Sequence, residues 1–567
     1  MRSLLLTFTA ALALTACAPQ PTSTPVAATA QPGMVSAADP RAAEAGVTIL
    51  REGGSAVDAA MATMLALTVV EPQSSGIGGG GFLVTDDGRG HVGTIDGREE
   101  APAAATPQWF FKDGKPMAFA DAWPGGKSTG VPGNIRLLAM AHEKYGKLAW
   151  KRLFDPAIAL ARGGFAVTPR LHESLDTYRS TGPLSAESRA LYYLPDGSAK
   201  PVGAIIRNPA LAAFLTQLAT LGPDAFYVGP NAQAITAAVQ GASVNPAPMQ
   251  AGDLAAYKAV DRAPVCGTYR GYKICGMGPP SSGATSVFAI LKQLERFDMG
   301  ALGKDSPTAW HLIAESTRLA FADRDRYLAD ADVISVPVAG LTDPAYLAQR
   351  SMLISPTTTM TNVKAGTPAG APKAFASAAP QVEYGTSHFV AVDSAGRVAS
   401  MTSTIESPFG SGLMVNGYFL NNELTDFNLD PNGKDGRPTA NAVLGGKRPR
   451  SSMSPTIVYA PDGSIRLAVG AAGGATIIAQ VAKAIIGVID FKLSAQDAIA
   501  LPVIFAPDGT LWIEKGSALE AMRPALTALG HKDIRSREGF KANAIERVEG
   551  HWAGAADPRS EGKAVSQ

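Results

Sequence analysis

Cysteine is scarce in this chain: three in 567 residues, at positions 17, 266 and 275. Histidine is scarce too, with seven spread over 91, 142, 172, 311, 388, 531 and 551. None forms a His-x-x-x-His pair or a Cys/His cluster, so no metal site is expected, and no organic cofactor either. Net charge is nearly absent at +1, which gives no reason to expect nucleic acid or an acidic surface as partner. Beyond the first residues no apolar run is long enough for a membrane helix. A G-x-S-x-G elbow is also missing, which argues against an α/β-hydrolase.

What is present suits a large, loop-rich enzyme: 46% hydrophobic residues, 59 Gly and 41 Pro. That is enough to bury a sizeable core. The opening "MRSLLLTFTAALALTAC" has one basic residue, a short apolar run and small residues before Cys17. It reads as a signal peptide over 1–17. Leu14-Thr15-Ala16-Cys17 resembles a bacterial lipobox, which implies lipidation of Cys17 and a periplasmic or outer-membrane-anchored protein. A plain signal peptide cut nearby is the alternative. Residues 18–35 follow as a Pro/Thr/Ala tether with no core-forming pattern.

Along the chain, residues 41–70 carry helical apolar spacing broken at Gly53-Gly54. The Gly-rich stretch 76–81 contains a G-x-G-x-x-G match, but a helix precedes it and a strand follows. A dinucleotide site needs the reverse order, so close backbone approach is the better reading. "GGKST" at 125–129 is no phosphate loop, because the required glycine is Asp121. Ser306 and Pro307 open a further helical pattern, Ser306 as its cap. Residues 355–385 are rich in Ala, Pro and Thr without a period, which suggests an exposed, mobile segment. Strands dominate from Ser387, then a helix and more strand. The order fits layered α/β sheets with helices outside.

Two hairpins can be registered by hand. "PVCGTYRGYKICG" turns at Arg270-Gly271, which places Cys266 opposite Cys275 at a non-hydrogen-bonded pair. A cross-strand disulfide is geometrically reasonable there, and two free thiols are the alternative. In "GTSHFVAVDSAGRVASMTSTIE" the loop is Ser394-Ala395-Gly396. Pairing outward keeps the residue numbers summing to 790, so Thr386 faces Thr404 and His388 faces Thr402. A Thr hydroxyl becomes a useful nucleophile when its own backbone amine, freed by a cut before it, serves as base. An α-amine has a pKa of about 7.7–8.0, which suits that role. Taken alone, Thr-Ser-His fits a plain strand edge at least as well.

Longer motifs change that balance. "GGSAVDAAMATMLALTVVEPQSSGIGGGGFLV", "DGREEAP", "GVPGN", "RLAFADRDRYLAD", "YGTSHFVAVD", "SMTSTIESPFGSG", "FLNNELTDF", "KRPRSSMSPTIV", "GAAGGATII" and "GAADPR" occur in this order over about 36–562. Together they resemble the γ-glutamyltransferase (γ-glutamyltranspeptidase, glutathione hydrolase) family of N-terminal nucleophile hydrolases. The resemblance implies an α/β (α+β) fold, a four-layer αββα sandwich. It also implies a precursor that cuts itself between Gly385 and Thr386. A large subunit (36–385, ending in the flexible 355–385) would stay with a small one (386–567) as a heterodimer. Thr386 would be the nucleophile and Thr404 its supporting hydroxyl, with Gly473 and Gly474 forming the oxyanion hole. Arg98, Ser451 and Ser452 would hold a substrate α-carboxylate, and Glu406, Glu423 and Asp426 would surround its α-amine. Glutathione and related γ-glutamyl compounds are the implied substrates, with water or an amine accepting the acyl group.

The chain departs from the family pattern in places. Ser387 stands where many members have a second Thr, and Glu406 where some have Asn. The segment after Asp426 is shorter than a family lid loop and lacks its aromatic residue, so a more open site is expected. Two alternatives remain: a cephalosporin (glutaryl) acylase of the same fold, and an envelope lipoprotein without catalysis. The acidic residues Glu423 and Asp426 favour the γ-glutamyl reading over the acylase.

Overall fold

The computed structural model describes residues 31–378 and 385–567. The signal peptide, Cys17 and most of the tether lie outside the described residues, as do 379–384. Two helices follow the first strand, β1 (Met34–Ala37). In α1 (Pro40–Arg51) the Asp39 carboxylate accepts from the Arg41 amide and Pro40 occupies the first turn. Gly53-Gly54 separate it from α2 (Ala56–Val70), which a Ser55–Asp58 capping box starts. Every residue of α2 is buried, which explains why it is apolar all round rather than on one stripe.

Among the described residues, thirteen strands form the two large sheets. The remaining twelve are β2 (Gly80–Asp86), β3 (Val92–Gly97), β4 (Val260–Arg262), β5 (Val265–Tyr269), β6 (Tyr272–Gly276), β7 (Ser387–Val392), β8 (Val398–Thr404), β9 (Thr456–Tyr459), β10 (Ile465–Ala472), β11 (Lys541–Val548), β12 (His551–Ala556) and β13 (Lys563–Ser566). One sheet runs β13-β1-β7-β8-β2-β3-β4, the other β12-β11-β10-β9-β6-β5. Side chains alternate across β7 and β8. Phe389, Ala391, Ala399 and Met401 pack into the core that holds α1 and α2. Val390, Val392 and Val398 pack into the core shared with the second sheet. That second core also holds α3 (Gly283–Leu294), α4 (Pro307–Tyr327) and α5 (Thr476–Ile489). Helix, sheet, sheet, helix is therefore the layer order, the αββα arrangement.

The central hairpin has the register derived by hand: Ser387 pairs with Ser403 and His388 with Thr402. β5 and β6 pair Cys266 with Cys275, and the two are joined by a disulfide. The Gly-rich stretch serves close approach, since a Cβ on Gly79 would lie 1.9 Å from the Thr404 carbonyl oxygen.

Three expectations need correction. Met34 and Val35, assigned to the tether, belong to β1, because they complete a ladder between β7 and β13. Ser306 precedes α4, but its side chain makes no capping hydrogen bond; Pro307 alone sets the first turn. Residues 355–378 have no helix or long strand, yet they are pinned at several points. The Thr359 amide donates to Leu529, that of Met360 to Glu315, that of Ala376 to Pro438 and that of Ala378 to Asp325. Low periodicity marked irregular backbone there, and long-range hydrogen bonds hold it in place.

Candidate active site

Thr386 sits immediately before β7, buried, with φ at +86°, a region that β-branched residues rarely adopt. Gly385 before it has φ +66°, and a Cβ there would lie 1.6 Å from the Glu406 carbonyl oxygen. Only glycine fits. The Thr386 amide donates to the Ser74 carbonyl at 3.2 Å. Its hydroxyl donates to Thr404 Oγ1 at 3.2 Å, and that oxygen also accepts the Glu406 amide at 2.8 Å. A hydroxyl is a weak base, so this contact can orient the Thr386 oxygen but cannot deprotonate it.

Gly473 and Gly474 form the turn between β10 and α5, with φ +119° and +60°. The Gly473 amide donates to the Gly385 carbonyl oxygen at 3.1 Å. The carbonyl next to Thr386 is thus polarised by an N–H from the start of a helix turn.

A narrow cavity is lined by Thr386, Thr404, Gly474, Arg98, Glu406, Glu423, Asp426, Ser451 and Ser452, together with Met453 and Ile477. Thr386 precedes β7, Thr404 ends β8 with Glu406 just beyond it, and Arg98 follows β3. Glu423 and Asp426 lie in the 423–426 turn, residues 451–453 precede β9, and Gly474 and Ile477 lie at the start of α5. Arg98 is the centre of its charge pattern. Its guanidinium pairs with Glu423 and with Asp426, and donates to the carbonyls of Pro449 (3.1 Å) and Arg450 (2.9 Å). Burial alone would lower its pKa, but the neighbouring Glu423, Asp426 and Glu99 outweigh that and raise it. Ser452 Oγ accepts from Arg324 at 2.6 Å, and Ser451 Oγ accepts from the Met453 amide at 3.1 Å. Glu406 accepts from Ser407 and from Asn422.

Among the described residues the cavity is narrow, not the open site expected. Arg98 reaches across the pocket to Glu423 and Asp426, and every residue of this set is buried. The charges that line the cavity pair with each other across it. A wider cavity of about 1140 Å³, lined from Asp176 to Lys200, contains none of these residues.

Sequence reasoning missed several neighbours. Glu99 is fully buried and neither carboxylate oxygen has a hydrogen-bond partner among the described residues. Burial, then the charge of Glu423, pushes its pKa well up, while Arg98 beside it opposes the rise. The quoted "DGREEAP" contained it. Behind β7, Ser387 Oγ donates to Glu71, which pairs with Lys541 Nζ at 3.0 Å. Burial lowers Lys541 to about 8, with Glu71 opposing the fall. Glu71 is held below the usual carboxylate range: desolvation raises it, but Lys541, Arg170 and the Ser387 hydroxyl outweigh that. Nothing in the local sequence marks Lys541, 470 positions from Glu71.

Two sheets stacked between helices, with a buried Thr opening a central strand beside an N–H donor turn, define the N-terminal nucleophile hydrolase class. The chain belongs to the γ-glutamyltranspeptidase family, whose model matches residues 42–567. It is 36% identical over 549 residues to the glutathione hydrolase proenzyme of Bacillus subtilis (strain 168), covering 94% of this chain and 91% of that protein. It is equally 36% identical over 549 residues to the acylase ACY 1 proenzyme of Pseudomonas sp. (strain SE83), covering 94% and 93%. Among solved structures, the cephalosporin acylase from Bacillus halodurans superposes with a TM-score of 0.83 at 27% identity, covering 97% of this chain and 98% of that one.

Proposed function

We propose that this protein is a self-cleaving γ-glutamyl hydrolase/transferase. In the precursor, Thr386 Oγ1 attacks the Gly385 carbonyl carbon. The peptide C–N bond breaks as an ester forms, and water then releases Gly385 as a carboxylate. Thr386 is left with a free α-amine. In turnover that amine takes the hydroxyl proton while Oγ1 attacks the γ-carbonyl of glutathione or a related amide. The oxyanion is met by the amides of Gly473 and Gly474, and the leaving amine takes the proton. Water or an amino-acid amine then resolves the γ-glutamyl ester.

The observation that carries this reading is the Arg98–Glu423–Asp426 cluster beside Thr386. An amino-acid head group carries both charges and can replace those internal pairs, its carboxylate on Arg98, Ser451 and Ser452, its ammonium on Glu406, Glu423 and Asp426. The acylase reading is the second one, supported by the acylase relative and by the cephalosporin acylase superposition. A glutaryl side chain has no α-amine, so it offers no ammonium to Glu423 and Asp426. Activity on γ-glutamyl-p-nitroanilide without activity on a glutaryl amide supports the first reading. The reverse result supports the second. A single uncut wild-type band on a denaturing gel overturns both.

Export follows from the N-terminal pattern, and the Cys266–Cys275 disulfide fits an oxidising compartment. No helix among the described residues is long and apolar enough to cross a membrane. Lipidation of Cys17 would supply the anchor. Mass spectrometry of the mature N-terminus tests it: a diacylglyceryl-modified Cys17 is expected, and an unmodified N-terminus elsewhere refutes it.

A further inference from the structure

The dispersed histidines gave no reason to expect a metal ion, but the fold gathers two of them. His311 and Glu315 lie one turn apart on the same face of α4. His531 arrives from the turn after Ala528, 220 positions away, with its Nε2 at 2.8 Å from His311 Nδ1. One ring nitrogen of each histidine and a carboxylate oxygen of Glu315 lie within 4.8 Å of one another, and all three residues are buried.

We propose that His311, Glu315 and His531 form a binding site for one divalent transition-metal ion of the zinc class. The argument is geometric. His311 Nε2 lies 2.8 Å from the Ser355 carbonyl oxygen, to which it can only donate. That contact fixes the tautomer, so Nδ1 presents its lone pair to His531. Ligating imidazoles usually hold their outer N–H in this way. Two nitrogens at about 2.0–2.1 Å from a tetrahedral zinc stand about 3.3 Å apart. The observed pair therefore needs to open by only about half an ångström.

The proton balance is simple. The proton between the rings is on His531 Nε2, and on metal binding it moves to His531 Nδ1, leaving both facing lone pairs for the ion. Neither imidazole changes charge. Glu315 supplies the third ligand and the one negative charge. Its Oε1 accepts from Arg318 Nη1 and Thr359 Oγ1, and its Oε2 from the Met360 amide. Those contacts orient the carboxylate, and a carboxylate oxygen has a second lone pair to offer an ion. Two nitrogens and one carboxylate oxygen favour zinc-type ions over calcium or magnesium. Water completes the set.

This site uses no residue of the Thr386 cavity, and its occupancy does not depend on the proposed activity. One consequence does depend on the proposed cut. His311 and Glu315 precede residue 385 and His531 follows it, so the ion would tie the two pieces together.

The test uses full-length, tag-free protein stripped of metal and titrated with zinc against a chromophoric chelator. One ion per chain is expected, with affinity reduced about 100-fold or more in His531→Gln and in His311→Gln/His531→Gln. Zinc should also raise the melting temperature of the wild type and leave that of the double variant unchanged. Equal zinc binding by wild type and double variant overturns the site, since it would place the ion on exposed histidines such as His91. Cobalt(II) added to the wild type keeps the question decidable if the variants misfold. An intense four-coordinate visible spectrum supports the site, and the weak six-coordinate spectrum of hydrated cobalt overturns it.

Discussion

The amide of Gly473 donates to the carbonyl oxygen of Gly385 at 3.1 Å, across the joint between residues 385 and 386. The same N–H that would receive a substrate oxyanion thus already holds the carbonyl that Thr386 would attack. Gly385→Ala is expected to abolish this contact, because its Cβ would meet the Glu406 carbonyl at 1.6 Å. Cleavage should slow by about 100-fold or more, read as persistence of the full-length band on a denaturing gel over time.

Thr404→Val keeps shape and removes the oxygen that Thr386 Oγ1 points at. We expect kcat to fall about 10- to 100-fold with KM little changed, since the substrate head group is held elsewhere. Thr404→Ser should recover most of the loss. A fall in Thr404→Val confined to KM would contradict an orienting role.

Asp426→Asn and Glu423→Gln each remove one carboxylate from Arg98. The expected change is in selectivity: γ-glutamyl-p-nitroanilide should lose about 10-fold or more in kcat/KM, a loss of about 1.4 kcal/mol. A glutaryl amide should lose less, and parallel kinetics on both substrates measure the difference.

Lys541→Met takes the nearer cation from buried Glu71 behind Ser387 and leaves only Arg170, at 3.8 Å. Destabilisation of about 3–5 kcal/mol is expected by denaturant unfolding. Glu71→Gln/Lys541→Met should recover part of it, because both charges then go together.

His388 lies between the two sheets, where a Cβ on Gly470 would touch its ring. Burial lowers its pKa from 6.5 to about 3. The unfolded chain therefore takes up a proton below about pH 6.5 that the folded chain refuses. Stability should fall as pH drops from about 6.5 toward 3, by up to about 1.4 kcal/mol per pH unit from this group. His388→Gln should reduce that slope in pH-dependent unfolding even if it lowers stability at neutral pH.

Much of this was legible because it is local or periodic. The summation to 790 follows from the loop length and strand alternation alone, and it brings Thr386 to Thr404. The turn at Arg270-Gly271 gives the Cys266–Cys275 pair by the same logic. The cavity residues, from Arg98 to Ser452, were found through long ordered motifs; no spacing rule connects Arg98 to Glu423. What escaped was held by contacts across the layers. Lys541 meets Glu71, and His531 meets His311, only because distant strands and helices stack. The openness of the site escaped for another reason: loop length says little about whether the charges beneath it pair with each other.

The backbone at Thr386 has one further consequence. Its φ of +86° is a torsion about the N–Cα bond, defined by the carbonyl carbon of Gly385. A cut between the two residues deletes that torsion altogether. Whatever strain it holds, of the order of 1–3 kcal/mol for such conformations, vanishes with the bond. Rejoining the chain would have to rebuild it, so the joint behaves as a latch that opens in one direction.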